Sequence, residues 1–173
     1  MRLLTLLLLL LAAPGWAQWS STVDVPCAGM LKSYGGPLSV TMTDAGTYYQ
    51  MTGFPINEGY STGAGYVTTY PGVSDGIDIG VNCAGLYFAK LSGSFYLSAG
   101  TELHCEVWKE GVDQELAFRD DVANANDYAS SGVGGLVMGV VDGDTFTIQC
   151  EADDAGRTIN WDHLILSVFR IGP

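Results

Sequence analysis

Apolar and polar side chains alternate with a period of two along most of this chain. That period sends one row of side chains toward a core and the other toward solvent, as half-buried strands require. It predicts strands over Leu38 to Met42, Thr47 to Gly53, Gly65 to Thr69, Ile77 to Asn82 and Gly85 to Leu97. Five more follow over Glu102 to Lys109, Glu115 to Arg119, Gly135 to Val141, Thr145 to Glu151 and Leu164 to Ile171. No useful stretch repeats with the helical period of 3.6 residues. Val141-Asp142-Gly143-Asp144 predicts a tight hairpin, because Asp and Gly tolerate the positive φ of a primed turn, and Ser98-Ala99-Gly100 and Lys109-Glu110-Gly111 are expected to do the same. Pro55 to Gly76 is the longest poorly patterned segment. Ten short antiparallel strands imply two packed sheets, which is how such chains hide their edges.

The first residues follow a different logic. Arg2, the run Leu6 to Leu11, Ala12, Ala13 and Pro14-Gly15-Trp16-Ala17 make a charged start, a short apolar stretch and a small-x-small end. This reads as a secretory signal peptide cleaved after Ala17. Its apolar stretch of about 11 residues falls short of the roughly 20 that span a bilayer. The expected product, Gln18 to Pro173, is secreted or periplasmic, makes no membrane insertion after cleavage, and folds in an oxidising compartment.

Composition narrows the partners. The chain of 173 residues has 19 Asp and Glu against 7 Lys and Arg, a formal charge of -12. Loss of Arg2 would leave 6 basic residues and a charge of 6 minus 19, or -13. A nucleic-acid partner is excluded, since binding a phosphate backbone needs clustered cations. Charged residues are only 15% of the chain and the hydrophobic set is 47%, so the acidity belongs to a folded domain and not to a polyelectrolyte tail.

Cys27, Cys83, Cys105 and Cys150 show no metal-binding spacing. Each continues an alternating apolar row, as in Val23-Val25-Cys27 and Phe146-Ile148-Cys150, so all four sulfurs should point inward. Four cysteines permit three pairings.

Gly85-Leu86-Tyr87-Phe88 opening a long strand, the Lys109-Glu110-Gly111 turn, the segment Ser131 to Val141, the Gly143-Asp144 turn and the terminal strand from Leu164 to Ile171 occur in a suggestive order. Together they resemble the superfamily of tumour-necrosis-factor ligands and complement globular heads. The resemblance covers Gly36 to Gly172, so the expected division is a signal peptide (1–17), an N-terminal segment (18–35) and a jelly-roll domain (36–173). It implies an all-β, ten-stranded antiparallel jelly roll that forms a homotrimer. The strands from Gly85 and Leu164 would share the inner sheet facing the threefold axis, and those from Glu102 and Thr145 would be neighbours in the outer sheet. It also implies the disulfides Cys105–Cys150 and Cys27–Cys83, and it sets Tyr48, Tyr87 and Phe169 at the trimer interface. The collagen stalk of complement-like members is missing from this chain.

Candidate chemistry is sparse. His104 lies on the outward face of its strand and His163 beside Asp162, and neither sits in a nucleophile context, so no catalytic residue is assigned. Asp120, Asp121, Asn124, Asn126 and Asp127 place several hard oxygens in one short stretch, which makes calcium the one cofactor the sequence offers a use for. Tyr60, Tyr66 and Tyr70 stand among Gly, Thr and Ser, a composition suited to recognition loops. The expected function is a non-catalytic binding or structural head for an unknown protein or glycan partner. A calcium-dependent lectin-like module is the alternative, and a hydrolase a distant third.

Overall fold

The structure is a computed structural model that describes residues 27–54, 56–60, 67–69 and 75–173, with only the backbone for 35–37, 56–60 and 67–69. Its strands are β1 (Ala28–Met42), β2 (Tyr49–Gln50), β3 (Ile56–Tyr60), β4 (Val67–Thr69), β5 (Ile77–Ile79), β6 (Gly85–Leu97), β7 (Thr101–Lys109), β8 (Val112–Val122), β9 (Tyr128–Val140), β10 (Thr145–Ala152) and β11 (Arg157–Gly172). Ten of them have three or more residues, and β2 has two. One sheet runs β3-β1-β11-β6-β9, the other β4-β5-β10-β7-β8, and β2 pairs with β10. The strands from Gly85 and from Thr145 and their respective neighbours therefore fall into the two sheets expected of them.

The core lies between the sheets and is built from the inward rows. Tyr87, Ala89, Leu91, Phe95 and Leu97 of β6 and Ile159, Trp161, Leu164, Leu166 and Val168 of β11 meet Leu103, Cys105 and Val107 of β7 and Phe146, Ile148, Cys150 and Ala152 of β10. All are buried because successive side chains on a strand alternate faces. In β11 the register against β6 shifts between Trp161 and His163, so Trp161 and Leu164 both point inward, and it shifts again between Arg170 and Gly172. At the first shift the Trp161 ring lies over Gly93, where a Cβ would come within 2.6 Å of a ring carbon. Glycine is needed there to let the indole reach the core.

Several expectations are corrected. The jelly roll does not start at Gly36: β1 begins at Ala28 and pairs with β11 from Ala28↔Phe169 onward, and Cys27 is bonded into the domain. The strand expected over Thr47 to Gly53 shrinks to β2. β8, β9 and β11 are longer than predicted, and β3 was not predicted. Only Lys109-Glu110-Gly111 makes a hairpin, with Glu110 (φ 50°) and Gly111 (φ 74°) as a primed two-residue turn between Lys109 and its partner Val112. Ser98 to Gly100 and Val141 to Asp144 are turns of three and four residues, but each carries the chain from one sheet to the other, because β6 and β9 lie in one sheet and β7 and β10 in the other.

Two disulfides form, Cys27–Cys83 and Cys105–Cys150, the pairs the resemblance implies. Cys105 and Cys150 are directly opposed on β7 and β10. Cys27–Cys83 ties the start of β1 to the loop before β6, the end of the sandwich where the polar contacts are dense. There the Asp142 carboxylate accepts the N–H groups of Asn82 (2.8 Å), Cys83 (2.9 Å) and Ala84 (2.8 Å). The Tyr87 hydroxyl donates to the Cys83 carbonyl at 2.7 Å. Burial pushes that hydroxyl up to about 12, with Arg170 acting in the opposite direction.

The Asn82 N–H first, then those of Ala84 and Cys83, hold the Asp142 carboxyl below the usual carboxylate range, against some desolvation. A depressed native pKa adds stability that is present above the ordinary carboxylate value near pH 4 and is lost as pH falls through the native value. Asp142→Asn should therefore be less stable than the parent at pH 7. In urea unfolding the gap should narrow as the pH is lowered below about 4; a gap independent of pH would contradict this role.

Candidate functional site

The two sheets turn very different faces outward. On the six-stranded sheet the outward row of β7 is Glu102, His104, Glu106 and Trp108, with Arg119 of β8 and Glu151 of β10 directly opposite His104. Tyr48, just before β2, lies across this row. Its hydroxyl donates to Glu106 Oε1 at 2.6 Å and sits 2.8 Å from His104 Nδ1. Glu106 also accepts Trp108 Nε1–H at 2.7 Å and faces His104 Nε2 at 3.1 Å. Glu151 Oε1 is 3.3 Å from His104 Nδ1. The Tyr48 ring stands edge-on to His104 and tilted against Trp108, with centroids 5.7 and 5.5 Å away. Under this cover His104 and Glu106 are only 8% and 6% exposed although both point away from the core. Burial, and then the hydrogen bond to Glu106, push the Tyr48 hydroxyl well above its ordinary pKa, so it stays a neutral donor.

The five-stranded sheet is the reverse. Tyr34, Tyr128, Leu136, Met138, Phe169 and Ile171 are exposed on β1, β9 and β11. Phe88 and Phe169 pack with centroids 5.3 Å apart, and so do Tyr96 and Tyr128. The Phe88 ring lies on Gly134 of β9, where a Cβ would come within 3.0 Å of it. β1, β6, β9 and β11 together hold one of the 19 acidic residues, Asp162. Lys32 and Lys90 are also on these strands.

Ser94, His163 and Asp162 meet on this second face. Ser94 Oγ is 2.8 Å from His163 Nδ1, and Asp162 Oδ2 is 3.9 Å from the same nitrogen. A nucleophile–base–acid relay needs the serine and the acid on opposite ring nitrogens, so this contact lacks the geometry of a triad.

The structure divides the residues singled out from sequence. Of the trimer set, Phe169 is exposed on the five-stranded sheet, 41% accessible. Tyr87 is fully buried, because it shares the inward parity of Leu91 and Leu97. Tyr48 belongs to the other sheet. Neither of the latter two faces outward from the inner sheet as expected.

The calcium set does not converge. Asp120 and Asp121 are consecutive in β8 and so point to opposite faces. Asn124 Nδ2 instead donates to Asp127 Oδ2 at 2.9 Å, and Asn126 (φ 64°) donates its N–H to the Leu97 carbonyl as part of the turn into β9. Among the described residues no group of three or more His, Cys, Asp or Glu is placed to hold a metal. Tyr60 is known by its backbone in β3, opposite Ala28, while its side chain and all of Tyr66 and Tyr70 lie outside the described residues. The network around His104 was missed. Its signal is the row Glu102-His104-Glu106-Trp108, legible once β10 is known to bring Glu151 beside it.

No protein-family model matches the chain, and no curated protein sequence matches it. The structure is similar to that of the Eiger TNF from S. frugiperda, with a TM-score of 0.50 at 9% identity over 86% of this chain and 94% of that one. It is also similar to the globular domain of zebrafish complement 1qA protein (TM-score 0.45, 11% identity, 84% and 97% covered) and to the PRD1 vertex protein P5 (0.46, 16%, 86% and 74%). At these identities the likeness is one of fold. The chain is a jelly roll of the tumour-necrosis-factor type, as the resemblance in its sequence implied.

Glu106 accepts two hydrogen bonds and faces His104 Nε2, while Arg119, 63% exposed in its side chain, reaches only Glu102 and the edge of His104. Glu106→Gln turns an acceptor into a donor against one of those groups, and should lower unfolding stability by about 1 to 3 kcal/mol. Arg119→Gln should cost under about 1 kcal/mol. Equal losses in a denaturant series would contradict the network's polarity.

Proposed function

We propose that the protein is an exported, disulfide-bonded, non-catalytic binding head that works as a homotrimer, and that the outward face of the five-stranded sheet is where its copies meet. The observation that carries this is the contrast between the two faces. An exposed, contiguous aromatic and aliphatic face marks an interaction site. Phe88, Phe169, Leu136 and Met138 supply one at one end of the sheet, and Tyr96 with Tyr128 adds an aromatic pair at the other, on a chain whose formal charge is -12.

The occupant is a further copy of the same chain. Like-charged molecules repel through their summed fields, and the four long strands of this sheet, with a single carboxylate, are where identical acidic chains can approach at least cost. The number three comes from the tumour-necrosis-factor type of fold. The signal-like residues 1–17 and the two buried disulfides support export to an oxidising compartment. The partner of the assembled head is then met by its remaining surfaces, the six-stranded sheet and the turns, where most of the other described acidic residues lie.

Phe169→Glu is the test, because it adds a carboxylate on the central strand of the face, within its Phe88 cluster, without touching the core. Light scattering should show the parent as three subunits and the variant as one, with unchanged far-ultraviolet circular dichroism. A folded variant that keeps the parent's mass would overturn the assignment of this face.

A further inference from the structure

β8 is the outermost strand of its sheet and pairs with β7 alone, so one side of its backbone is open to a further strand. We propose that Asp120 guards that edge: its carboxylate, turned to the core side of the strand, keeps β8 from being extended by a strand of another molecule.

The ladder with β7 sets the position of Asp120. Cys105↔Phe118, Leu103↔Asp120 and Thr101↔Val122 are successive inward pairs, and Leu103, Phe118 and Val122 are all buried. Asp120 therefore stands in the inward row of β8, between two buried apolar side chains and opposite a third. It is partly buried, and its Oδ2 is out of contact with water and without a hydrogen-bond partner among the described residues. Leaving a carboxylate oxygen in that condition costs free energy. An apolar side chain would continue the row without that cost, so the use of the charge lies outside the stability of the fold.

An open sheet edge is a template for another chain, and an inward-pointing charge is one of the ways natural sheets blunt it. A strand added beside β8 extends both faces of the sheet. It would cover Phe118, Asp120 and Val122 on one face and Arg119 and Asp121 on the other. Charges on the outward face can stay in water. The charge of Asp120 cannot, because on its face the added strand lengthens the core.

The first half of β8 is protected in another way. Between Glu106↔Ala117 and Trp108↔Asp113, one residue of β7 is opposed by three of β8. Glu115 takes φ 56° there and donates its N–H to Asp113 Oδ1 at 2.7 Å. Such a bulge breaks the straight ladder an incoming strand needs, and it leaves Ala117 to Val122 as the regular stretch of the edge, with Asp120 inside it. The outermost strand on the same side of the other sheet is the contrast. β9 has no charged residue from Tyr128 to Val140, and it belongs to the face proposed to be covered by further copies. The guard on β8 does not depend on that assembly, since an open edge needs one in a lone chain as well.

The parent, Asp120→Val, Asp120→Lys and Asp121→Val, each as the whole disulfide-intact chain, test this. Both valine variants are one unit less negative than the parent, and the lysine variant two. The soluble fraction and thioflavin T fluorescence are followed at equal concentration. Asp120→Val should pass into sheet-rich aggregate at least about tenfold faster than the parent, the effect of removing one buried unpaired charge from the paired state. Asp120→Lys puts a charge back at the same place and should behave as the parent does, and so should Asp121→Val, altered on the outward face. Parent-like behaviour of Asp120→Val, equal rates in the two valine variants, or rates ranked by net charge would each overturn the guard. Urea unfolding separates edge pairing from loss of the fold. Asp120→Val should have a midpoint no lower than the parent's; a lower one would show that the carboxylate holds the fold together, and would overturn the proposal too.

Discussion

The ladder between β6 and β11 is the constraint on which the rest depends. Twelve residue pairs from Ile159↔Leu97 to Gly172↔Leu86 run through the middle of one sheet. The inward rows of the two strands supply ten of the thirty buried core residues among those described. Their outward rows carry Phe88, Phe169 and Tyr96. A sheet that is apolar on both faces has to be covered on both, as buried parallel sheets are by their helices. Here the second sheet covers one face, and copies of the same chain are proposed to cover the other.

The opposite sheet shows the complementary solution. Its outward row is polar, and Tyr48 closes over it so that buried groups find partners within the same chain. Glu106 takes the donors of Tyr48 and Trp108, and His104 is enclosed by carboxylates on two neighbouring strands. A fully partnered polar network makes a face specific where an apolar one would make it adhesive. The acids of the turn from Val141 to Asp144 do similar local work: Asp142 caps three N–H groups, and Asp144 accepts the Val141 N–H and the Lys109 ammonium.

Much of this was legible in the chain. Parity predicts the full bounds of β6, because Tyr87, Ala89, Leu91, Phe95 and Leu97 keep strict phase around Gly93. It predicts β11 only from Leu164, because the bulge at Asp162 puts Ile159 and Trp161 out of phase with Leu164, Leu166 and Val168. It predicts β9 only from Gly135, because the stretch Ala-Ser-Ser-Gly after Tyr128 is held by pairing with β6 and not by its own apolar row. Parity would have placed Tyr87 inside. Nothing local could have placed Tyr48 over His104, since 56 residues separate them and the contact exists only after β2 joins β10. The turns were legible as turns but not as crossings between sheets, because the residues that allow positive φ are the same in both.

The central claim is that the exposed face of the β6–β11 sheet is covered by two further copies of the chain. Sedimentation equilibrium of the disulfide-intact protein at micromolar concentration, across a range of salt, measures this most directly. A single species of three subunits is expected, persisting at low salt, where repulsion between acidic chains is greatest. A single subunit at every concentration would contradict it.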